Sequence, residues 1–127
     1  MTRGRRPVIA IAEAKRNAAA RGYLVLGVET DRRLPFDFAI DDGGKISRVR
    51  VRRLKYADYD PFRIRDSCWH EIEDLRHLQQ GEKIRQELWV RGPDRAWHRY
   101  LVLPDAVKTI REDTGETENP DKRGGTS

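Results

Sequence analysis

The sequence is short of several things, and each shortage excludes something. It has one cysteine, Cys68, which rules out an internal disulfide framework and suits a reducing compartment. It has no long hydrophobic run. The stretches from Val8 to Ala12 and from Tyr23 to Val28 fall far below the roughly 20 apolar residues that cross a bilayer. No secretory leader is visible, so the expectation is a soluble, cytoplasmic protein without a membrane partner. Internal repeats are absent, and 127 residues suit one domain.

Positive charge is abundant. Lys and Arg number 26 against 21 Asp and Glu, the formal net charge is +5 and the sequence pI is near 9.7. Arginine far outweighs lysine, and its planar fork matches phosphate better than an ammonium does. The charge is also uneven. Glu112, Asp113, Glu116, Glu118 and Asp121 face only Lys122 and Arg123 in the last stretch, so the preceding chain is more basic than the whole. A basic domain of this size favours a polyanionic partner, DNA or another nucleic acid first. Composition divides the chain into a basic flexible arm (residues 1–6), a folded domain (7–111) and a disordered acidic and polar tail (112–127).

The stretch Pro35 to Lys55 is the organising element. Two strand-like runs meet at Asp41-Asp42-Gly43-Gly44, a strong hairpin signal. Alternation sets Phe36, Phe38 and Ile40 against Asp37, Ala39 and Asp41. In the second run Ile46, Arg48, Arg50, Arg52 and Leu54 share one face, while Ser47, Val49, Val51 and Arg53 share the other. Arg48, Arg50, Arg52, Arg53 and Lys55 form the candidate nucleic-acid-binding set, beside Asp37, in the layout of a phosphate-handling cleft. Upstream, an alanine-rich helix is expected from Pro7 to about Arg21, stopped by Gly22, with Ile11, Ala14 and Ala18 as its apolar stripe and Glu13 off it. Tyr23 to Val28 reads as a buried strand. Downstream, Tyr56 to Pro61 reads as a loop and Asp66 or Ser67 caps a helix to about Gln80. Ile84 to Arg91 and Ala96 to Leu103 read as strands, and Pro104 to Ile110 as a short final helix. The expected fold is α/β or α+β, a central mixed sheet flanked by helices.

A helix bearing Glu13, a strand, the Pro35-Phe36-Asp37 strand, the Val49-Arg50-Val51-Arg52 strand and a second helix together resemble the PD-(D/E)xK nuclease superfamily. In pattern they are similar to archaeal Holliday junction resolvases and to homing endonucleases with a Gln-x-Lys third motif. The resemblance spans Ala10 to Leu78 and implies a restriction-endonuclease-like core. It also implies a Mg²⁺-dependent deoxyribonuclease, with Glu13 and Asp37 as metal ligands and Glu13, Asp37, Arg50 and Arg52 at the catalytic positions. Arg50 stands where the family has Glu, Asp or Gln, and Arg52 where it has Lys. A guanidinium cannot ligate a cation, and Arg52 never deprotonates. A catalytically degenerate DNA-binding module needing no cofactor is therefore the first reading. An active endonuclease using Mg²⁺ and a protein-interaction domain are the alternatives.

Other residues suit plainer roles. Cys68 and His70 point about 200° apart on a helix, so one metal cannot take both. Glu29 and Asp31 are spare carboxylates that could rescue a metal site. Trp89, Trp97, His98, Arg99 and Tyr100 suit a base-stacking surface, the sheet core or the face of a homodimer.

Overall fold

The structure, a computed structural model, describes residues 6–26, 34–78 and 81–110. Among these, the elements run α1 (Val8–Ala20), β1 (Leu24–Leu26), β2 (Phe38–Asp41), β3 (Ile46–Arg53), α2 (Pro61–Ser67), α3 (Trp69–Arg76), β4 (Ile84–Arg91), β5 (Trp97–Val102) and β6 (Val107–Ile110). The strands lie side by side in chain order as one mixed sheet, antiparallel except for the β3–β4 pair. Parallel neighbours need a crossover, and α2 with α3 supplies it.

Helix α1 covers one sheet face. Its small residues Ala10, Ala14 and Ala18 let it sit close to Phe38, Ile40, Val49 and Val51. The helix ends in a Schellman arrangement: Gly22 N donates to the Ala19 carbonyl and Tyr23 N to that of Ala18, with Gly22 at φ +88°. Helices α2 and α3 cover the other face, where Ile64, Cys68, Ile72 and Leu75 meet Leu88, Val90, Tyr100 and Val102. The β2–β3 hairpin forms at the expected place, with Gly43 and Gly44 at positive φ and Gly43 N bonded to Asp41 Oδ1.

Four expectations need correction. The stretch Pro104 to Ile110 is a turn and the edge strand β6 rather than a helix. Proline suits position i+1 of a turn as well as helix N1, and the β-branched Val107, Thr109 and Ile110 tip the balance. The second helix begins earlier than Ser67. Pro61 occupies its first turn, and the Asp60 carboxylate caps Phe62 N at 2.8 Å. Proline does keep Asp60 out of the helix, which is the extended geometry an N-cap needs. The helix then breaks at Cys68 into α2 and α3.

The third correction concerns β1, which is an edge strand and not a buried one: Leu24 is 62 % exposed. Residues 27–28 lie outside the described residues. Finally, Phe36 does not share a face with Phe38 and Ile40. It packs on the α2–α3 side because the chain bends at Asp37 before β2 begins.

The α1 side also holds a buried charged group. Glu87 Oε1 accepts from Arg99 Nε (3.2 Å), Arg99 Nη2 (3.0 Å) and Trp89 Nε1 (2.9 Å), while Arg85 Nη2 lies 3.3 Å from Oε2. Arg99 Nη1 donates to the Tyr23 hydroxyl. Burial works against the charge of Arg99, but Glu87 and the Tyr23 hydroxyl together outweigh it and its pKa is raised.

Candidate functional site

Asp37 sits at the bend leading into β2, tied there by its own N–H to the Val49 carbonyl at 2.7 Å. Its side chain is fully buried and its acceptors are in use. Oδ2 accepts from Val51 N at 2.7 Å, and Oδ1 accepts from Arg6 Nη1 at 2.5 Å. Arg50 Nε lies 4.0 Å from Oδ2, and Arg50 Nη1 donates to the Pro35 carbonyl at 2.9 Å. Arg50 is only 6 % exposed. Burial lowers its pKa first and the Arg6 charge second, with Asp37, Glu71 and Asp74 acting the other way. Two guanidinium groups thus converge on one carboxylate.

Arg52, two residues on along the same face, donates to Glu71 Oε1 (2.8 Å) and to the Ser67 carbonyl (3.3 Å), so α3 compensates it. Arg48 lies over the Phe36 ring at 5.9 Å. Arg53 points to the opposite side. Arg53 and Lys55 are exposed and form no ion pair or side-chain hydrogen bond among the described residues. Glu13 is turned to Arg91, 3.4 Å away, and Arg91 also lies over the Trp97 ring. Glu13, Arg53, Lys55, Arg91 and Arg95 line an open groove of about 780 Å³ at the carboxyl ends of β3 and β4. Ligands commonly bind at the carboxyl ends of parallel strands, and β3–β4 is the parallel pair here.

The residues singled out in the sequence therefore separate. Asp37 and Arg50 are brought into contact with Arg52 next along the strand, whereas Glu13, Arg53 and Lys55 line the groove. A divalent ion, implied by the resemblance at Glu13 and Asp37, does not fit this arrangement. The Asp37 oxygens already accept from Arg6 and Val51, and Glu13 is engaged with Arg91. Among the described residues no three His, Cys, Asp or Glu side chains group to hold a metal. A guanidinium about 4 Å from a divalent cation would cost roughly 8 kcal/mol at an effective dielectric near 20.

The remaining candidates are placed as follows. Cys68 is buried, and burial pushes its thiol up to about 12. His77 Nδ1 is 2.7 Å from the Glu73 carbonyl, and His70 stacks on Trp69. Trp89 and Trp97 belong to the core beneath α1, 6.2 Å apart, while Tyr100 belongs to the opposite core. Glu29 and Asp31 lie outside the described residues. Sequence reading missed Arg6, Glu71 and Glu87 as partners. Only Glu87 carried a signal, as an acid alternating with Arg85, Trp89 and Arg91 along one strand face.

No family model and no curated protein matches the sequence. Among solved structures, the chain is similar to Archaeoglobus fulgidus Hjc, a Holliday junction resolvase from an archaeal hyperthermophile. The TM-score is 0.54 at 15 % identity, over 85 % of this chain and 90 % of that one. The likeness is one of fold alone: a mixed six-stranded sheet with three helices, α+β and consistent with a restriction-endonuclease-like fold. No helix among the described residues is long and apolar enough to cross a membrane.

Proposed function

We propose that this chain binds the phosphate backbone of DNA on a nuclease-like scaffold that does not carry out metal-dependent hydrolysis. One observation carries the reading: the Asp37 carboxylate is occupied by Arg6 and Val51 N, with the Arg50 guanidinium 4.0 Å away where a metal-ligating side chain would be needed. Supporting it, three exposed cations without partners among the described residues, Arg53, Lys55 and Arg95, line one groove. Charge-assisted hydrogen bonds from these groups suit phosphate oxygens. Arg50 and Arg52 act mainly as internal counter-charges to Asp37 and Glu71. Branched DNA is the first partner to try, because the structural neighbour is a Holliday junction resolvase.

The test incubates the full chain with labelled junction and duplex DNA, with and without Mg²⁺ or Mn²⁺. The expected result is binding without cleavage. If three or four phosphates are contacted, log K should fall with log salt with a slope of about −3 to −4. Mg²⁺-dependent cleavage that disappears in Asp37→Ala would overturn the reading of the site. Affinity indifferent to salt would overturn backbone binding.

A further inference from the structure

We infer that the cavity beside Tyr56 takes an unpaired nucleobase, so that the protein prefers single-stranded or frayed nucleic acid to intact duplex. The inference rests on the backbone-binding reading above. Tyr56 is 79 % exposed, and its side chain has no hydrogen bond or ring contact among the described residues. It follows directly on β3, where Leu54 N still bonds to the Arg91 carbonyl at 2.9 Å and Asp58 N closes a turn onto the Tyr56 carbonyl at 3.0 Å.

Tyr59, three residues on, shows what holds this loop. Its ring stacks on His98 with centroids 3.6 Å apart, its hydroxyl donates to Asp94 Oδ1, and its carbonyl accepts from the Tyr100 hydroxyl. It lies so close over Gly92 that a Cβ there would come within 2.0 Å of the Tyr59 hydroxyl. Tyr59 fastens the loop to the β4–β5 turn, leaving Tyr56 on an anchored base with its ring unused by the core.

The surroundings of that ring are cationic. Tyr56 lines a cavity of about 380 Å³ with Arg52, Arg53, Lys55 and Asp58. Asp58 is its one acid, and Arg63 lies 3.7 Å from that carboxylate. Arg52 is held in the wall by Glu71 and the Ser67 carbonyl. The volume is within the range of small-ligand sites. Arg53, Leu54 and Lys55 line both this cavity and the larger groove, so the two run together. Phosphates along Arg95, Arg53 and Lys55 would deliver a base to Tyr56. Stacking on an aromatic ring needs an exposed base face, which single strands offer and paired duplex does not.

The test measures the affinity of the full chain for a labelled oligothymidylate and for a labelled blunt duplex of the same length. Tyr56→Ala is expected to weaken the oligothymidylate roughly five- to a hundredfold while leaving the duplex within about twofold. Tyr56→Phe keeps the ring and should bind both probes like the parent. Unchanged thermal unfolding of Tyr56→Ala is expected, because the side chain is outside the core. An equal loss on both probes, or no loss on the single strand, overturns the inference and leaves backbone binding standing. Polyglutamate displacing the oligothymidylate as well as free oligothymidylate does would assign the surface to an acidic protein partner and overturn it too. If the parent chain binds neither probe, the backbone-binding reading fails, and this inference with it.

Discussion

The two sides of the sheet each bury a carboxylate against an arginine, and they do it differently. Beneath α1, Glu87 is held by Arg99, Trp89 and Arg85, all on the neighbouring strands β4 and β5. On the α2–α3 side, Asp37 draws on Arg6 ahead of α1, on Val51 in β3, and more loosely on Arg50. The first group is built into the ladder, so its geometry is fixed wherever the sheet forms. The second is assembled from separate stretches of chain, and its arginine leans on the Pro35 carbonyl as much as on the acid. A buried ion pair says little about function by itself. What distinguishes them is where the partners come from and whether the fold needs them there.

That contrast can be broken at its stronger end first. Glu87→Ala leaves Arg99 buried without its counter-charge and should destabilise by about 3–5 kcal/mol, measured by denaturant unfolding. Replacing the pair together, as Glu87→Leu with Arg99→Met, should recover most of that loss. A Glu87→Ala cost below about 1 kcal/mol would mean that the pair is not structural.

Asp37→Asn keeps an acceptor for Val51 N but removes the charge facing Arg6 and Arg50. A loss of about 1–3 kcal/mol is expected. If it equals the cost of Glu87→Ala, the distinction between the two sides collapses.

High pH should sharpen the comparison, because the α2–α3 side buries neutral titratable groups. Burial raises Cys68 from 9.0 to about 12, and burial followed by its charged neighbours raises Tyr100 as well. A raised folded-state pKa contributes stability that is complete below the unfolded value and is lost as pH climbs toward the folded one. Stability should therefore fall above pH 9, by about 1 kcal/mol per pH unit for Cys68 alone. Cys68→Ala should flatten that slope, whereas Glu87→Ala should not.

The smallest stability effect is expected at the groove. Arg53→Ala, Lys55→Ala and Arg95→Ala lie outside both cores, and each should change stability by less than about 0.5 kcal/mol. Together they should reduce the salt slope of DNA binding by about 3. Stability loss of a kilocalorie or more, with the slope intact, would place these cations in the fold instead of at the interface.

Much of the framework was legible because it depends on local chemistry. The alanine stripe with Gly22, the double glycine at Gly43 and Gly44, and the β4 run from Ile84 to Arg91 act over a few neighbours and need no distant partner. The same reach explains the misreadings. Pro61 and Pro104 fit more than one local structure, and contacts with the sheet decide between them. At the candidate site, alternation correctly put Arg50 and Arg52 on one strand face and Arg53 on the other. It could not show which of these charges were already spent.

By itself, then, the sequence determined the basic balance, the strand and helix periods around Asp37, and the guanidinium at position 50. Tertiary structure alone decided that Arg6 closes on Asp37 from 31 residues away, that Glu71 takes Arg52, and that Glu13 turns to Arg91. Periodicity fixes the direction in which a side chain leaves its own element. Whether its charge is neutralised or left open to a ligand depends on what the folded chain brings to the other side.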